Sequence, residues 1–399
     1  MNKIAEDSVQ RTRWAYVAVL LACGFCAAMQ IGKVPPALPA LKLDLHLSIV
    51  ATGWVLSSFS IIGAIFGCFA GALADRIGAR TVTVVGLLSM AAASVAGAFS
   101  DSAALLLISR AVEGMAFVVI VVAIPSLLVA SAAPEHRGFV PSLWGTYMPV
   151  GMALGLVLAP VVLVSSSWRT LWEWNAALLV AAAALVGILK PPRLPPAAAV
   201  LTFSAIRRTL ASRGAQVLAV MFAAYALQYL CVVGFLPTIL QQQGVSPRVA
   251  GGLTAIAALA NAGGNLVASA LVARRVPVWR LMMFAAVVMG IASLGIFSAS
   301  LSPLARYLLV VLFTVTGGLV PASIFASVPA VVRETKTGAV TMGLLVQASH
   351  IGQLIGPPVV AAVAVYAGGW NMSPVVLVPA AGVVIFMSLL MRSAPAPLR

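Results

Sequence analysis

Long apolar stretches alternate with short polar connections along the whole chain. A helix needs about 20 predominantly apolar residues to cross the hydrocarbon core of a bilayer, and each stretch is about that long or longer. The stretches are 14–34, 48–74, 81–99, 102–132, 139–164, 171–189, 214–240, 250–272, 278–297, 303–332, 339–366 and 372–391. The pattern therefore predicts twelve membrane crossings.

The predicted crossings are α-helices, because a segment in lipid must satisfy its own backbone hydrogen bonds. Strands of a membrane barrel need only about 9–11 residues, so these stretches are too long for them. The expected strand content is near zero. The predicted fold class is an all-α membrane protein of twelve transmembrane helices in two pseudo-symmetric six-helix bundles.

The distribution of charge predicts how the chain lies in the membrane. Only 8% of the residues are charged and 62% are hydrophobic. All but six of the 24 Lys and Arg fall at the termini or in connections after even-numbered stretches. This bias predicts an inner-membrane protein with both termini cytoplasmic, so the net charge of +15 does not predict a nucleic-acid partner. The six exceptions are Lys33, Lys42, Arg110, Arg169, Arg248 and Arg306.

A polar interval and internal similarity divide the chain into halves. The predicted units are a bundle over 1–189, a Pro-rich, basic cytoplasmic linker over 190–213 and a second bundle over 214–399. Gly114 and Pro125 recur as Gly318 and Pro329, shifted by about half the chain length. Gly145 and the sequence Pro-Val-Val at 160–162 recur at 343 and 358–360. Repeats of this kind build many transporter folds.

The connection after the second stretch contains the most specific motif of the chain. Its sequence from position 71 to 80 is GALADRIGAR, which resembles the cytoplasmic loop signature of the major facilitator superfamily. The resemblance implies a gate in which Asp75 changes partners between two conformations. The alternative is a solvated turn that only fixes orientation. The predicted gating residues are Gly71, Asp75, Arg76, Gly78 and Arg80. In the corresponding connection of the second half, Ala273 occupies the position of Asp75.

The fourth stretch resembles the same superfamily through Arg110 and Gly114, an R-x-x-x-G pattern whose arginine the family implicates in substrate or proton coupling. Residues three apart share a helical face, so Arg110 and Glu113 are expected to pair while facing a central cavity. A purely structural ion pair is the alternative. Segments 32–39 and 235–240 are similar to the cyanate and nitroimidazole transporter branch.

Small residues at four-residue spacing mark the fifth and eleventh stretches. Gly151 and Gly155 resemble part of an antiporter signature of the superfamily, and Gly352 and Gly356 repeat the spacing. Such spacing also permits close helix packing, which is the favoured interpretation.

Polar side chains within apolar stretches are the predicted substrate-binding and coupling residues, since they are costly in lipid. They are Gln30, Lys33, Arg110, Glu113 and Tyr147 in the first half, and Tyr225, Gln228, Tyr229, Asn261, Asn265, Gln347, His350 and Gln353 in the second. Lys33 and Arg110 outnumber Glu113, which favours an anionic solute. Alternatively, Lys33 extends to the membrane interface. Glu113 and His350 are the candidates for proton coupling, although an intramembrane His is as often a packed hydrogen-bond donor.

The sequence thus favours a proton-linked carrier that exposes a central site alternately to each side and moves a small organic anion. The alternative is an efflux carrier for drugs or a secreted metabolite such as a siderophore. A non-transporting receptor or scaffold is a further alternative. No phosphate-binding loop or metal-ligand cluster is visible in the sequence, so neither an enzyme nor a cofactor is expected. The expected partners are the solute, protons and the bilayer, and the expected state is a monomer.

Overall fold

The computed structural model describes residues 11–69, 77–136, 139–189, 203–335 and 337–392. Within these ranges the chain is helical without strands, and twelve helices are long and apolar enough to cross a membrane. The predicted fold class is therefore confirmed. The helices are Trp14–Gly32 (α1), Ile49–Phe66 (α2), Ala79–Ala98 (α3), Ala103–Ser131 (α4), Leu143–Ser165 (α5), Trp168–Ile188 (α6), Arg213–Gln242 (α7), Pro247–Ala273 (α8), Val278–Ile296 (α9), Pro303–Thr335 (α10), Gly338–Tyr366 (α11) and Pro374–Arg392 (α12).

Serine side chains define several helix starts. Ser48, Ser102, Ser167 and Ser212 each accept a hydrogen bond from the backbone N–H three residues later. Such caps satisfy one of the N–H groups that a helix leaves unpaired at its first turn. At these four positions the polar connection therefore also starts the next helix.

Two short helices extend the predicted pattern. The segment expected to end the first crossing instead continues past Lys33 as a second helix, Val34–Asp44. Pro35 and Pro36 fit there because the first turn of a helix does not need their missing N–H groups. The predicted linker contains the helix Phe203–Ala211, which is too short to cross a bilayer.

The two halves have the same internal arrangement. In the first half α1 packs on α5, α3 on α4 and α6, and α2 on α4; in the second half α7 packs on α11, α9 on α10 and α12, and α8 on α10. Gly114 of α4 lies against the carbonyl of Phe59 in α2, and Gly318 of α10 lies against the carbonyl of Asn261 in α8. The repeated glycines thus mark equivalent helix crossings. The exact domain boundaries stay a prediction.

The halves meet along two helix pairs, α2 with α11 and α5 with α8. The backbone of Gly53 in α2 lies against Pro357 and Pro358, and Gly67 lies against Gln347. The contact between α2 and α11 therefore follows most of the length of α2. We define the odd-loop end of the bundle as the end that carries the connections after odd-numbered helices; the opposite end is the even-loop end. The helix Val34–Asp44 adds a contact with α7 at the odd-loop end.

Candidate functional site

One group of buried polar side chains lies in the first half, and we term it the charged cluster. Its members are Gln30 of α1, Lys33 at the junction between α1 and the next helix, and Arg110 and Glu113 of α4. Lys33 Nζ donates to Glu113 Oε1 at 3.1 Å and to Gln30 Oε1 at 2.5 Å. Arg110 donates from Nη1 to Glu113 Oε2 and, at 3.0 Å, to the Gln30 carbonyl. One carboxylate thus joins two cations, one on each of its oxygens.

Helices α3 and α6 close the charged cluster on its other side. Ser94 Oγ accepts from Lys33 Nζ at 2.9 Å and donates to the Trp172 carbonyl at 2.9 Å. The Trp172 ring centroid lies 4.2 Å from Lys33 Nζ, a distance at which the ring face attracts a cation. Asn175 Oδ1 accepts from Gln30 Nε2 at 3.3 Å. The cluster is therefore enclosed by four helices of the first half.

This enclosure corrects two expectations. Lys33 is fully buried, so it does not extend to the membrane interface. Arg110 and Glu113 pair as expected, but they are 1% and 0% exposed and do not line an open cavity between the halves in this structure. The physical reason is that a buried charge needs several partners, and Gln30, Ser94 and Trp172 supply them inside the first half.

Asparagine and tyrosine side chains form a neutral polar group in the second half. Asn261 Nδ2 donates to Tyr225 Oη at 2.9 Å and to the Thr314 carbonyl at 3.0 Å. Asn265 Nδ2 donates to the Asn261 carbonyl at 3.0 Å, in keeping with their predicted common face. Tyr229 stacks on Tyr225 with ring centroids 5.8 Å apart. This group connects α7, α8 and α10.

The polar residues of α11 lie against α2, in the contact between the halves. Gln347 Nε2 donates to the carbonyls of Ala64 and Ile65 at 2.8 and 3.1 Å. Gln353 Oε1 accepts from Ser60 Oγ at 3.0 Å. His350 is 4% exposed and its ring lies against Gly63. These predicted site residues therefore join the halves and do not meet the charged cluster.

Two predicted residues, Tyr147 and Gln228, remain apart from these contacts. Tyr147 stacks on Trp144 with centroids 4.3 Å apart, next to Gly24 of α1. Gln228 is fully buried and donates to the carbonyl of Ala224 in its own helix.

Two gating-loop residues lie at the start of α3. Arg80 donates to the carbonyls of Val186 and Gly187 at the end of α6, at 3.3 and 2.7 Å. Gly78 has φ 95°, which glycine adopts without strain. Gly71, Asp75 and Arg76 lie outside the described residues, so the predicted gate stays a prediction.

The sequence interpretation missed Ser94, Trp172 and Asn175 as members of the site. Asn175 lies in the sixth apolar stretch, so the rule that selected the other buried polar residues also applied to it. Ser94 and Trp172 gave no such signal, because serine and tryptophan are common in membrane helices.

Comparison with known proteins identifies the family. The chain matches the Major Facilitator Superfamily over residues 20–357. It is 29% identical over 172 residues to the Methylenomycin A resistance protein of Bacillus subtilis (strain 168), covering 43% of this chain and 36% of that protein. It is 28% identical over 183 residues to Multidrug resistance protein 1 of the same organism, covering 45% and 46%. The matches span less than half the length of either relative.

Among solved structures, the fold is similar to that of a D-xylose-proton symporter. The TM-score is 0.76 at 15% identity, and the alignment covers 98% of this chain and 99% of the symporter. The family match extends over more than half of the chain and agrees with the twelve apolar helices. This multi-pass membrane protein therefore belongs to the Major Facilitator Superfamily of transporters.

Proposed function

We propose that this chain is a proton-linked secondary transporter that exports a small aromatic or amphipathic organic solute by alternating access. The observation that carries the proton linkage is the charged cluster, where Lys33 and Arg110 share the single carboxylate of Glu113 inside the apolar bundle. Ionisable groups are costly in a membrane interior and mark ion or substrate pathways there. The excess of Lys and Arg in the even connections supports an inner-membrane protein with both termini cytoplasmic.

Aromatic rings on α7 support a solute with apolar faces. Phe222, Tyr225 and Tyr229 follow one another along α7, with adjacent centroids 6.3 and 5.8 Å apart. Tyr229 Oη lies 4.0 Å from Met152 Sδ of α5, so this row reaches the contact between the halves. Aromatic side chains bind organic solutes through stacking while a phenol keeps a polar contact. The resistance functions named for two relatives add support for export.

A small organic anion is the second candidate, favoured by the excess positive charge of the charged cluster. Lys33 and Arg110 would have to become accessible from the space between the halves for this charge to select a solute. The similarity of segments 32–39 and 235–240 to the cyanate and nitroimidazole transporter branch likewise stays a prediction.

Counterflow in proteoliposomes separates these candidates. Ethidium and puromycin serve as drug probes, and the carboxylates benzoate, nicotinate and methylenomycin A serve as anion probes, with and without an imposed pH gradient. Export predicts exchange of at least one drug probe, accelerated by the gradient, whereas anion transport predicts exchange of the carboxylates alone. Absence of flux for every probe under both conditions would contradict the proposal.

A matched pair of variants connects the assay to the aromatic row. Tyr229→Ala removes a partly buried ring that contacts α5 through its hydroxyl. Tyr366→Ala removes a ring that is 95% exposed at the end of α11. The first variant is expected to lose drug exchange and the second to retain it; equal exchange by both would exclude the α7 aromatic row as a substrate surface.

A further inference from the structure

The charged cluster contains two cations and one carboxylate, and therefore has an excess of one positive charge. Lys33 and Arg110 face one carboxylate, Glu113. Among the residues that the structure describes, the other side chains that contact Lys33 are Gln30 on α1, Ser94 on α3 and Trp172 on α6, and none of them carries a charge. A net charge enclosed in a membrane bundle is costly, so the cluster is stable as a neutral group when one cation loses its proton.

Of the two cations, only Lys33 can give up a proton. An arginine guanidinium stays protonated in proteins, whereas a lysine amine titrates readily when it is buried. Arg110 therefore remains charged and keeps its direct contact with Glu113. Loss of the Lys33 proton leaves a neutral Arg110–Glu113 pair beside a neutral amine.

The geometry around Lys33 suits a group that alternates between two charge states. Its ammonium has three N–H donors, and three oxygens lie 2.5 to 3.1 Å from it, on Gln30, Ser94 and Glu113. Trp172 covers the ammonium at 4.2 Å from the ring centroid. All of these partners favour the charged form. Burial of the amine beside Glu113, the one carboxylate that contacts it in the described part of the chain, disfavours that form, so the two effects oppose each other.

The backbone next to Lys33 can move with less loss of hydrogen bonding than a regular helix. Lys33 lies between α1 and the helix Val34–Asp44, and Pro35 and Pro36 follow directly. Proline has no N–H to donate to the carbonyl four residues earlier, so the carbonyls of Ile31 and Gly32 lack those helical bonds. A bend at this point would carry the Lys33 side chain out of its enclosure and give it access to water.

We propose that Lys33 is the group that binds and releases the coupling proton. In the step itself, the ammonium gives its proton to water on one side of the membrane, leaving an amine, and the amine takes a proton from water on the other side. This inference rests on the proposed proton-linked transport. It differs from a mechanism in which Glu113 or His350 carries the proton.

The first test follows the protonation of Lys33 itself and needs no substrate. Trp172 lies against the ammonium, so its fluorescence is expected to change when Lys33 titrates. The full chain in nanodiscs is titrated from about pH 5 to about pH 10, which covers the titration range of Glu, His and Lys in model peptides. The wild type is expected to show a transition that is lost in Lys33→Met and in Trp172→Phe.

Lys42→Met is the matched control, because Lys42 is an exposed lysine on the adjoining helix Val34–Asp44. It is expected to keep the transition. Lys33→Met leaves the neutral Arg110–Glu113 pair and is expected to fold; Lys33→Gln serves if the Met variant elutes as aggregate in size-exclusion chromatography. A transition that persists unchanged in both Lys33 variants would overturn the proposal.

The second test separates this inference from the proposed function. In proteoliposomes, counterflow of ethidium, puromycin, methylenomycin A, benzoate and nicotinate is compared with movement driven by a pH gradient. Lys33→Met is expected to lose the gradient-driven movement and to keep counterflow, since exchange needs no net proton transfer. If the wild type moves no probe, the proposed function fails while the titration still decides the role of Lys33. If Lys33→Met stays gradient-driven, or His350→Gln alone loses the driving force, the inference fails.

Discussion

Lys33 Nζ lies 3.1 Å from Glu113 Oε1, and both side chains are fully buried. This contact joins the junction after α1 to the middle of α4, where Arg110, three residues before Glu113, contacts the other oxygen of the same carboxylate. Glu113 is thus shared by two cations from two helices. Its removal is therefore expected to disturb the packing of the first half.

Replacement of Glu113 tests the energetics of this sharing. Glu113→Gln leaves Lys33 and Arg110 without a balancing charge, and breaking a buried ion pair in this way costs about 3–5 kcal/mol. Adding Lys33→Met removes one of the unbalanced cations and is expected to restore part of the stability. The measurement is the thermal unfolding midpoint of each variant in detergent. A double variant less stable than Glu113→Gln alone would contradict the account.

Adjacent glycines in α8 provide a matched test of helix packing. A Cβ on Gly264 would overlap the carbonyl of Val315 in α10, whereas a Cβ on Gly263 would meet nothing within 4 Å. Gly264→Ala is therefore expected to destabilise the protein by about 1–3 kcal/mol, as overpacking does. Gly263→Ala is expected to leave stability unchanged or slightly raised. Unfolding midpoints and monomer yields measure both, and equal behaviour of the two variants would exclude the α8–α10 crossing as described.

The odd-loop end contains a pH-dependent contact. Arg169 donates to Asp44, and Trp168 Nε1 donates to the same carboxylate at 2.9 Å. These hydrogen bonds, Arg169 first, hold the pKa of Asp44 below its usual value. A lowered carboxyl pKa in the folded state contributes stability above the unfolded pKa, and this contribution is lost as the pH falls through the folded pKa.

Asp44→Asn is therefore expected to lower the unfolding midpoint at neutral pH and to lose this effect below about pH 4. Asp44 is half exposed, so the effect is expected to stay under about 1 kcal/mol. Asp101→Asn is the control, since its carboxylate also contacts Arg169 but is 94% exposed. A difference between wild type and Asp44→Asn that grows as the pH falls would reverse the predicted sign.

Much of the fold follows from the sequence, because the length and apolar character of each stretch determine a membrane crossing. The pairing of Arg110 with Glu113 is also predictable, since it depends only on positions three apart in one helix. The enclosure of Lys33 is not. It depends on Ser94 and Trp172, which lie on two other helices, and the hydrophobic periodicity does not specify how those helices are rotated or which helices they contact. It also depends on the helix that continues through Pro35, where the apolar pattern predicts an end.

The position of the α11 residues shows the same limit. Gln347 and His350 are polar residues in an apolar helix, which predicts a buried contact but not the partner. In the structure Gln347 donates to backbone carbonyls of α2 on the other half. Those carbonyls lie just before the short 3-10 turn Gly67–Phe69 that follows α2, and hydrophobicity alone does not reveal this turn.

Simultaneous recording of solute and proton movement tests whether Lys33 couples solute transport to proton transfer. Purified protein is reconstituted into liposomes that contain a pH-sensitive dye, and a gradient of a solute that the counterflow panel identifies is imposed without a pH gradient. Solute movement is expected to change the internal pH in the wild type and not in Lys33→Met. Solute movement with no change of internal pH in the wild type would contradict proton-linked transport.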